Sequence, residues 1–443
     1  MDWLNKEVAA AWREEGQRYA SDVNRFVREM KEMEGKQEPE YLSDDQRTQL
    51  AEEVFEMIKT ANKKGEWQQL RKELPPATWP LATNFEKAMQ AVRSISFLDR
   101  KTVVFTAGAT WDKSSVFIAS EEGIQQFPEL SHVGCSMDGS VYALVGQQDI
   151  RLIRHPDRHL QGEELAVFRW EDILTQIKST IPDLKTLADL KTLADCEYPE
   201  AILEAVIPFT DGKSLLLASG YGIYLVEKDQ VSLLHPSVAE CLEYGAEDTD
   251  IDMPHASVSH DERWIAFGSQ SSDHVLIDRR TGETHTFYPE SSYPHYCLFS
   301  KDNQSVWFNS CHFYNGMTFR VPLKEVENGQ AKAIEDWPIM DEESRVYAAV
   351  ALTGGTVFGH AYGYVRFINQ EGQELWRHFV GSTISGIAVS EDESLLAVGT
   401  YGGMLHLLDL QAEAMDEYGI GTGTLRECER FIIWKEMDGV LRW

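Results

Sequence analysis

The residues able to do chemistry in this 443-residue chain fall into two sets. The first is imidazole: of thirteen histidines, His255, His295, His312 and His360 are spaced so that a closed repeat would gather them at one mouth, where they would suit a metal centre or proton transfer. No two of these four lie at a local chelating spacing. The six cysteines (Cys135, Cys196, Cys241, Cys297, Cys311 and Cys428) include no Cys-x-x-Cys, and no Gly-rich phosphate loop, GxSxG elbow or HExxH occurs. The expectation is therefore no metal, no cofactor and no catalytic residue. The alternative is a hydrolase or lyase using His312, His360 and Asp112.

The second set is carboxylate. Glu240-Cys-Leu-Glu-Tyr-Gly-Ala-Glu-Asp-Thr-Asp-Ile-Asp252 carries six acids without one base. Asp248, Asp250 and Asp252 alternate as in a calcium loop, but the glycine and distal glutamate of that motif are missing, so exposed acids or a disordered segment are the better readings. The stretch belongs to a wider bias: the chain has 72 acids and 41 bases, of which residues 1–90 hold 18 and 14, leaving 54 and 27 for the rest. Such a field repels nucleic acid and anionic membrane and attracts a basic protein; simple solubility is the competing explanation. There is no apolar run of membrane-spanning length and no hydrophobic signal core, and the cysteines read as free thiols, so the expected compartment is the cytoplasm.

These residues must be positioned by a repeat. Residues 386–409 give an apolar strand, an acidic turn at Asp392, a second strand, a Gly-rich hairpin and a third strand. Equivalent turns fall at Asp99, Asp138, Asp211, Asp261, Asp302 and Gly354, spaced through Asp392 by 39, 73, 50, 41, 52 and 38 residues. Third strands read at 150–153, 222–226, 274–278, 364–368 and 404–409. A period near 40 with four short strands per unit is what propeller blades need. Residues 94–443 accordingly resemble a seven-bladed WD40-like β-propeller, although the Trp-Asp pair of that family survives only as Ile277-Asp278 and Leu408-Asp409. The tail 429–443 reads as a strand, a turn at Asp438-Gly439 and a final strand that complete blade seven and help to seal the ring. The fold class is mainly β, preceded by an α-helical region over 1–93.

In that region Val8, Trp12, Tyr19, Val23, Phe26, Val27 and Met30 recur at helical spacing, giving a helix of about seven turns. Ser43 with Gln46 predicts a capping box for a second helix carrying Leu50, Val54, Met57 and Ile58. A short piece follows around Trp67 and Leu70, and Thr83 with Glu86 predicts a last helix through Met89 and Val92. Trp3, Trp12 and Trp67 need a surface, for which the propeller is the first expectation and a partner the second.

The resemblance implies one face, the top, built from loops joining second to third strands and each blade to the next. It would carry the insertion 171–200, with its tandem Asp183–Ala188 and Asp189–Ala194, the acidic loop 240–252, and the aromatic and polar residues Trp111, Asp112, Tyr221, Tyr244, His255, Tyr293, His295, His312, Tyr314, His360, Tyr362 and Tyr401. Aromatics ringed by Glu243, Glu247, Asp248, Asp250 and Asp252 suit a basic protein partner. Three roles are expected of such a chain. It is a non-catalytic adaptor, scaffold or cytosolic inhibitor of the bacterial immunity-protein kind; or the propeller enzyme above; or a structural subunit making contact through its N-terminal helices.

Overall fold

In a computed structural model, which describes residues 1–32, 44–108, 113–180, 190–288, 293–312, 315–329, 337–342, 345–435, 437 and 439–443, seven antiparallel sheets form a closed ring. Blade one pairs Val92–Phe97, Val103–Ala107, Ser115–Ser120 and Gly123–Phe127 in chain order. Blades two to seven span 130–169, 203–235, 255–287, 293–341, 346–379 and 384–432, each with four strands in the same order. Every turn marker read from the sequence lies between the first and second strands of a blade.

The reason an aspartate marks six of these turns is visible in the hydrogen bonds. In blade seven the Asp392 carboxylate accepts from the Ser390 hydroxyl (2.8 Å), the Ser394 hydroxyl (2.6 Å) and the Ser394 amide (3.1 Å), while Ser390 Oγ accepts from the Leu395 amide (3.0 Å). These bonds hold the Asp392 carboxyl at about 2. Ser136-Asp138, Ser259-Asp261 and Ser300-Asp302 repeat the same serine–aspartate link. This side-chain turn fixes the hairpin locally, which is why it is legible in the sequence.

The ring closes without borrowing a strand from elsewhere in the chain. The first strands of successive blades contact one another all the way round, and that of blade seven, Ile384–Val389, packs on that of blade one. At this seam Ser385 Oγ donates to Val92 O (2.7 Å), and Gly399 lies so close that a Cβ there would stand 2.0 Å from Val92 O. Pairs of blades are stitched by buried polar contacts: Ser94 Oγ with His132 Nε2, His235 Nε2 with Ser269 Oγ, and His274 Nε2 with Ser310 Oγ, each 2.9 Å.

The tail does complete blade seven. Arg426–Ile432 is its fourth strand and Leu441–Arg442 a fifth on the outer edge, and the tail also helps to close the seam: Phe431, Ile433 and Val440 pack with Val103, Phe105 and Phe117 of blade one, and Arg442 Nη1 donates to Glu121 O (3.0 Å). Of the expected turn there, Asp438 lies outside the described residues.

The N-terminal helices pack on the propeller. Helix α1 (Lys6–Glu32), α2 (Ala51–Lys63), α3 (Trp67–Glu73) and α4 (Thr78–Ala82) share a core with Met404, Ile432, Trp434 and Trp443 of blade seven and its tail. Trp12 and Trp443 are fully buried, their rings 6.2 Å apart, and their indoles donate to Pro75 O and Leu74 O. Thr78 Oγ1 donates to Val380 O, and Trp434 Nε1 to Gly402 O, so this layer roofs the top of blades six and seven. Two boundaries differ from expectation. Ser43 lies outside the described residues, and the start of the second helical segment, a 3-10 turn at Gln46–Leu50, is capped by Asp45, whose carboxylate accepts from the Arg47 amide. The helix expected from Thr83 to Val92 shrinks to a 3-10 turn at Glu86–Ala88, because Val92 opens the first strand of blade one.

Outer strands are edges that need cover. Residues 420–422, within the connection between the third and fourth strands of blade seven, pair with the outer strand of blade six through Phe379 N to Ile420 O (2.8 Å) and Thr422 N to Arg377 O (3.0 Å). Asn24 of α1 clamps that connection at Gly419 O and Gly421 N.

Candidate functional site

The two sequence interruptions meet. Trp170–Thr180 forms helix α5, whose Trp170, Ile173 and Ile177 are buried in the core of blades two and three together with Leu193. The acidic stretch is ordered: Ser237 and Glu240 form a capping box for helix α6 (Val238–Tyr244), which Gly245 ends in the left-handed conformation. Beyond it Lys191 N donates to Glu247 O (3.0 Å) and Thr249 N to Lys191 O (2.9 Å), joining the second of the tandem copies to the acidic run. The first copy lies outside the described residues. Thr249 is wholly buried, its hydroxyl donating to Tyr221 O (2.8 Å), and Ile251 N donates to Gly220 O. Tyr221 therefore anchors the stretch through its backbone.

This anchoring leaves Glu243, Tyr244, Glu247, Asp248, Asp250 and Asp252 exposed as a shoulder over blades three and four, Tyr244 at 78 % and the neighbouring Leu242 at 45 %. Partial burial, then repulsion from Asp248 and Asp252, raises the Asp250 carboxyl above its ordinary range. A cation brought to the shoulder relieves that repulsion.

A second assembly sits at the channel mouth. Arg93 of blade one, 8 % exposed, reaches across to blade three, donating to Glu204 Oε2 (2.8 Å) and Leu203 O (3.3 Å) while its Nε holds Gly108 O. Arg345 Nε donates to His295 Nε2 (3.2 Å), and His295 Nδ1 donates to Val346 O (2.6 Å). The Arg345 guanidinium lies 5.0 Å over the Tyr347 ring, which contacts both His295 (4.8 Å) and Tyr401 (5.9 Å).

The expected residues thus divide among several places. Tyr221, Glu243, Tyr244, Glu247, Asp248, Asp250 and Asp252 share the shoulder. Tyr401, 40 % exposed, stands at the mouth, and exposed His312 stacks on Tyr293 (6.1 Å). His255, His295 and His360 are buried, so their rings are not offered to a partner on the outer surface. Burial pushes His255 down to about 3 and His295 to about 4, while His360 falls well below the imidazole range and, among the described residues, has no hydrogen-bond partner on either nitrogen. Tyr362 is separate again, on the wall of a cavity of about 510 Å³ beneath residues 75–80. Trp111, Asp112 and Tyr314 lie outside the described residues. Among the described residues no three His, Cys, Asp or Glu are grouped to hold a metal ion.

Arg93, Glu204, Arg345 and Tyr347 were not anticipated. A signal for three of them exists: the residue six or seven positions before each turn marker is Arg93, His132, Glu204, His255, His295, Tyr347 or Ser385. Each lies near the top end of the first strand of its blade. With this geometry in hand, comparison with known proteins adds no family: no protein-family model matches the chain, and no curated protein is significantly similar to it.

Proposed function

We propose that this protein is a non-catalytic interaction module, an adaptor or an inhibitor of the immunity-protein kind, whose acidic shoulder binds a basic protein. The observation that carries the reading is that the acidic run 240–252 is held in place by Thr249, Lys191 and Tyr221, with Glu240 capping its helix and Asp248 accepting from the Asp250 amide, while the carboxylates of Glu243, Glu247, Asp250 and Asp252 stand exposed. An ordered carboxylate group beside exposed Tyr244 and Leu242 presents charge for steering and apolar area for contact. The same field disfavours nucleic acid and anionic membrane as partners. A β-propeller supplies a rigid platform for such a surface, and among the described residues no helix is long and apolar enough to cross a membrane.

The test is capture of a basic protein by the immobilised chain across a salt series. Retention is expected to fall steeply as salt screens the charge, and to be lost when Glu243, Glu247, Asp248 and Asp250 are changed to their amides. A partner held equally well in high salt, or by the amide variant, refutes the assignment.

A further inference from the structure

We propose that the cavity between the helical layer and blades six and seven binds an uncharged aromatic compound bearing a hydroxyl, because its walls are aromatic, its charges answer one another, and the imidazole of His378 stands in it without a partner. The cavity holds about 510 Å³, within the range of small-molecule sites. Tyr19, Trp79, Tyr362, Phe379 and Tyr418 line it, and Trp79 and Tyr362 are 61 % and 52 % exposed. Large rings left in water at a cavity wall are apolar area for a ligand to cover.

The charges lining the cavity are spent on each other. Arg47 Nε and Nη2 donate to the Asp45 carboxylate (3.0 and 2.7 Å), and Arg71 and Arg430 both close on Glu427. Arg430 Nη1 is taken up by Thr78 Oγ1 (3.0 Å). Asp416, the third carboxylate, is exposed at the rim and accepts from the Tyr418 amide (2.9 Å). Three guanidiniums thus meet three carboxylates, and a charged ligand would enter without a counter-charge.

His378 is the group left to answer. It is 5 % exposed, and among the described residues neither ring nitrogen has a hydrogen-bond partner, yet neither is sealed by packing. Burial holds the ring below the imidazole range, opposed by Glu427 and Asp416 and aided by Arg430, all three of which line the same cavity, so His378 is neutral at pH 7. A neutral imidazole offers one donor and one acceptor. A hydroxyl answers either nitrogen, whereas a carbonyl answers only the donor. Water answers them equally well but leaves Trp79 and Tyr362 uncovered.

The test is a titration of the ¹⁵N-labelled full chain with p-cresol, followed at the indole Nε1–H resonance of Trp79, which is assigned by its disappearance in Trp79→Phe. A saturable shift at millimolar p-cresol is expected. Toluene, which lacks the hydroxyl, is expected to bind about fivefold more weakly, the worth of one net hydrogen bond, and 4-methylbenzoate about tenfold more weakly or worse. In His378→Leu the preference for p-cresol over toluene is expected to vanish while toluene still binds, a change that loss of structure alone does not produce. Should that variant not fold, the order of the three compounds in the parent decides. No saturable shift, toluene or 4-methylbenzoate binding as well as p-cresol, or a preference that survives His378→Leu overturns the proposal and leaves a water-filled cavity.

Discussion

Glu427, in the fourth strand of blade seven, is where the helical layer and the ring share charge, and Glu427→Gln is the most informative single change. Its Oε1 accepts from Arg430 Nε (3.0 Å) and from both Arg71 amino groups (3.3 Å); its Oε2 accepts from Arg430 Nη2 (2.7 Å) and His406 Nδ1 (3.0 Å). Side-chain exposure is 9 % for Glu427, 6 % for Arg430 and 20 % for Arg71, so the group lies largely out of water. Burial pushes the Glu427 carboxyl up, but Arg430, His406 and Arg71 together hold it well below the carboxylate range. Glutamine keeps the shape and removes the charge, leaving two guanidiniums against a neutral amide. Breaking a buried ion pair from one side costs about 3–5 kcal/mol. With an unfolding entropy of about 2.1 cal/mol/K per residue, a ring and helical layer that unfold together lose about 3–5 °C in Tm.

Calorimetry reads that shift, and limited proteolysis reads the second consequence, since Arg71 in α3 loses its ionic partner and keeps only its backbone acceptors, Glu427 O (2.6 Å) and Trp443 O (2.8 Å), so cleavage before residue 90 should accelerate modestly. Arg71→Met added to Glu427→Gln should recover part of the loss by removing one uncompensated charge. A variant that melts within a degree of the parent with the same cleavage pattern refutes the argument, as does a double variant whose losses simply add.

The seam gives a second prediction: Gly399→Ala forces its Cβ toward Val92 O and should cost about 1–3 kcal/mol or prevent closure, whereas Gly139→Ala, with open space at φ +74°, should cost only about 1 kcal/mol of backbone strain. Equal losses in chemical denaturation would show that the seam is not tightly packed. The third concerns acid. His255, His295 and His406 sit near 3, 4 and 4 when folded against 6.5 unfolded, the shift in each coming mainly from burial, so the unfolded chain binds more protons below pH 6.5. Their contribution is complete above pH 6.5 and falls with pH until the folded values are reached, by about 1.4 kcal/mol per unit for each residue. Between pH 6.5 and 5, with the slope reaching its full value only below the unfolded pKa, the three together should remove about 5 kcal/mol, and urea midpoints that stay flat over that interval would contradict the burial of these rings.

Much of the fold is legible in the sequence because its repeat is local. Strand alternation and the turn are both written within some 40 residues; an aspartate marks six of the turns, in four of them held by the serine–aspartate link, and Gly354, at φ +86°, marks the seventh, so each marker found its hairpin. Counting back from those markers even reaches Arg93, Glu204 and Tyr347, although nothing in their neighbourhoods says that Arg93 will cross to Glu204. The helical stripe of α1 and α2 was likewise readable from its period, and the propeller was the surface expected to cover it, but the residues that do so were not, since Trp434 and Trp443 come more than 350 residues later.

What the sequence by itself determined is the propeller class, the order of strands within a blade and the concentration of acid in 240–252; that the ring closes at seven blades was decided by the tertiary structure. Only the tertiary structure decided that this run is helix and anchored strap rather than loose loop, because the partners that order it, Lys191 and Tyr221, come from other segments of the chain. The tertiary structure also decided which histidines have surfaces to offer. Imidazole is written identically whether a neighbouring blade buries it, as at His295 and His360, or leaves it in water, as at His312, and that depends on strands far away in the chain.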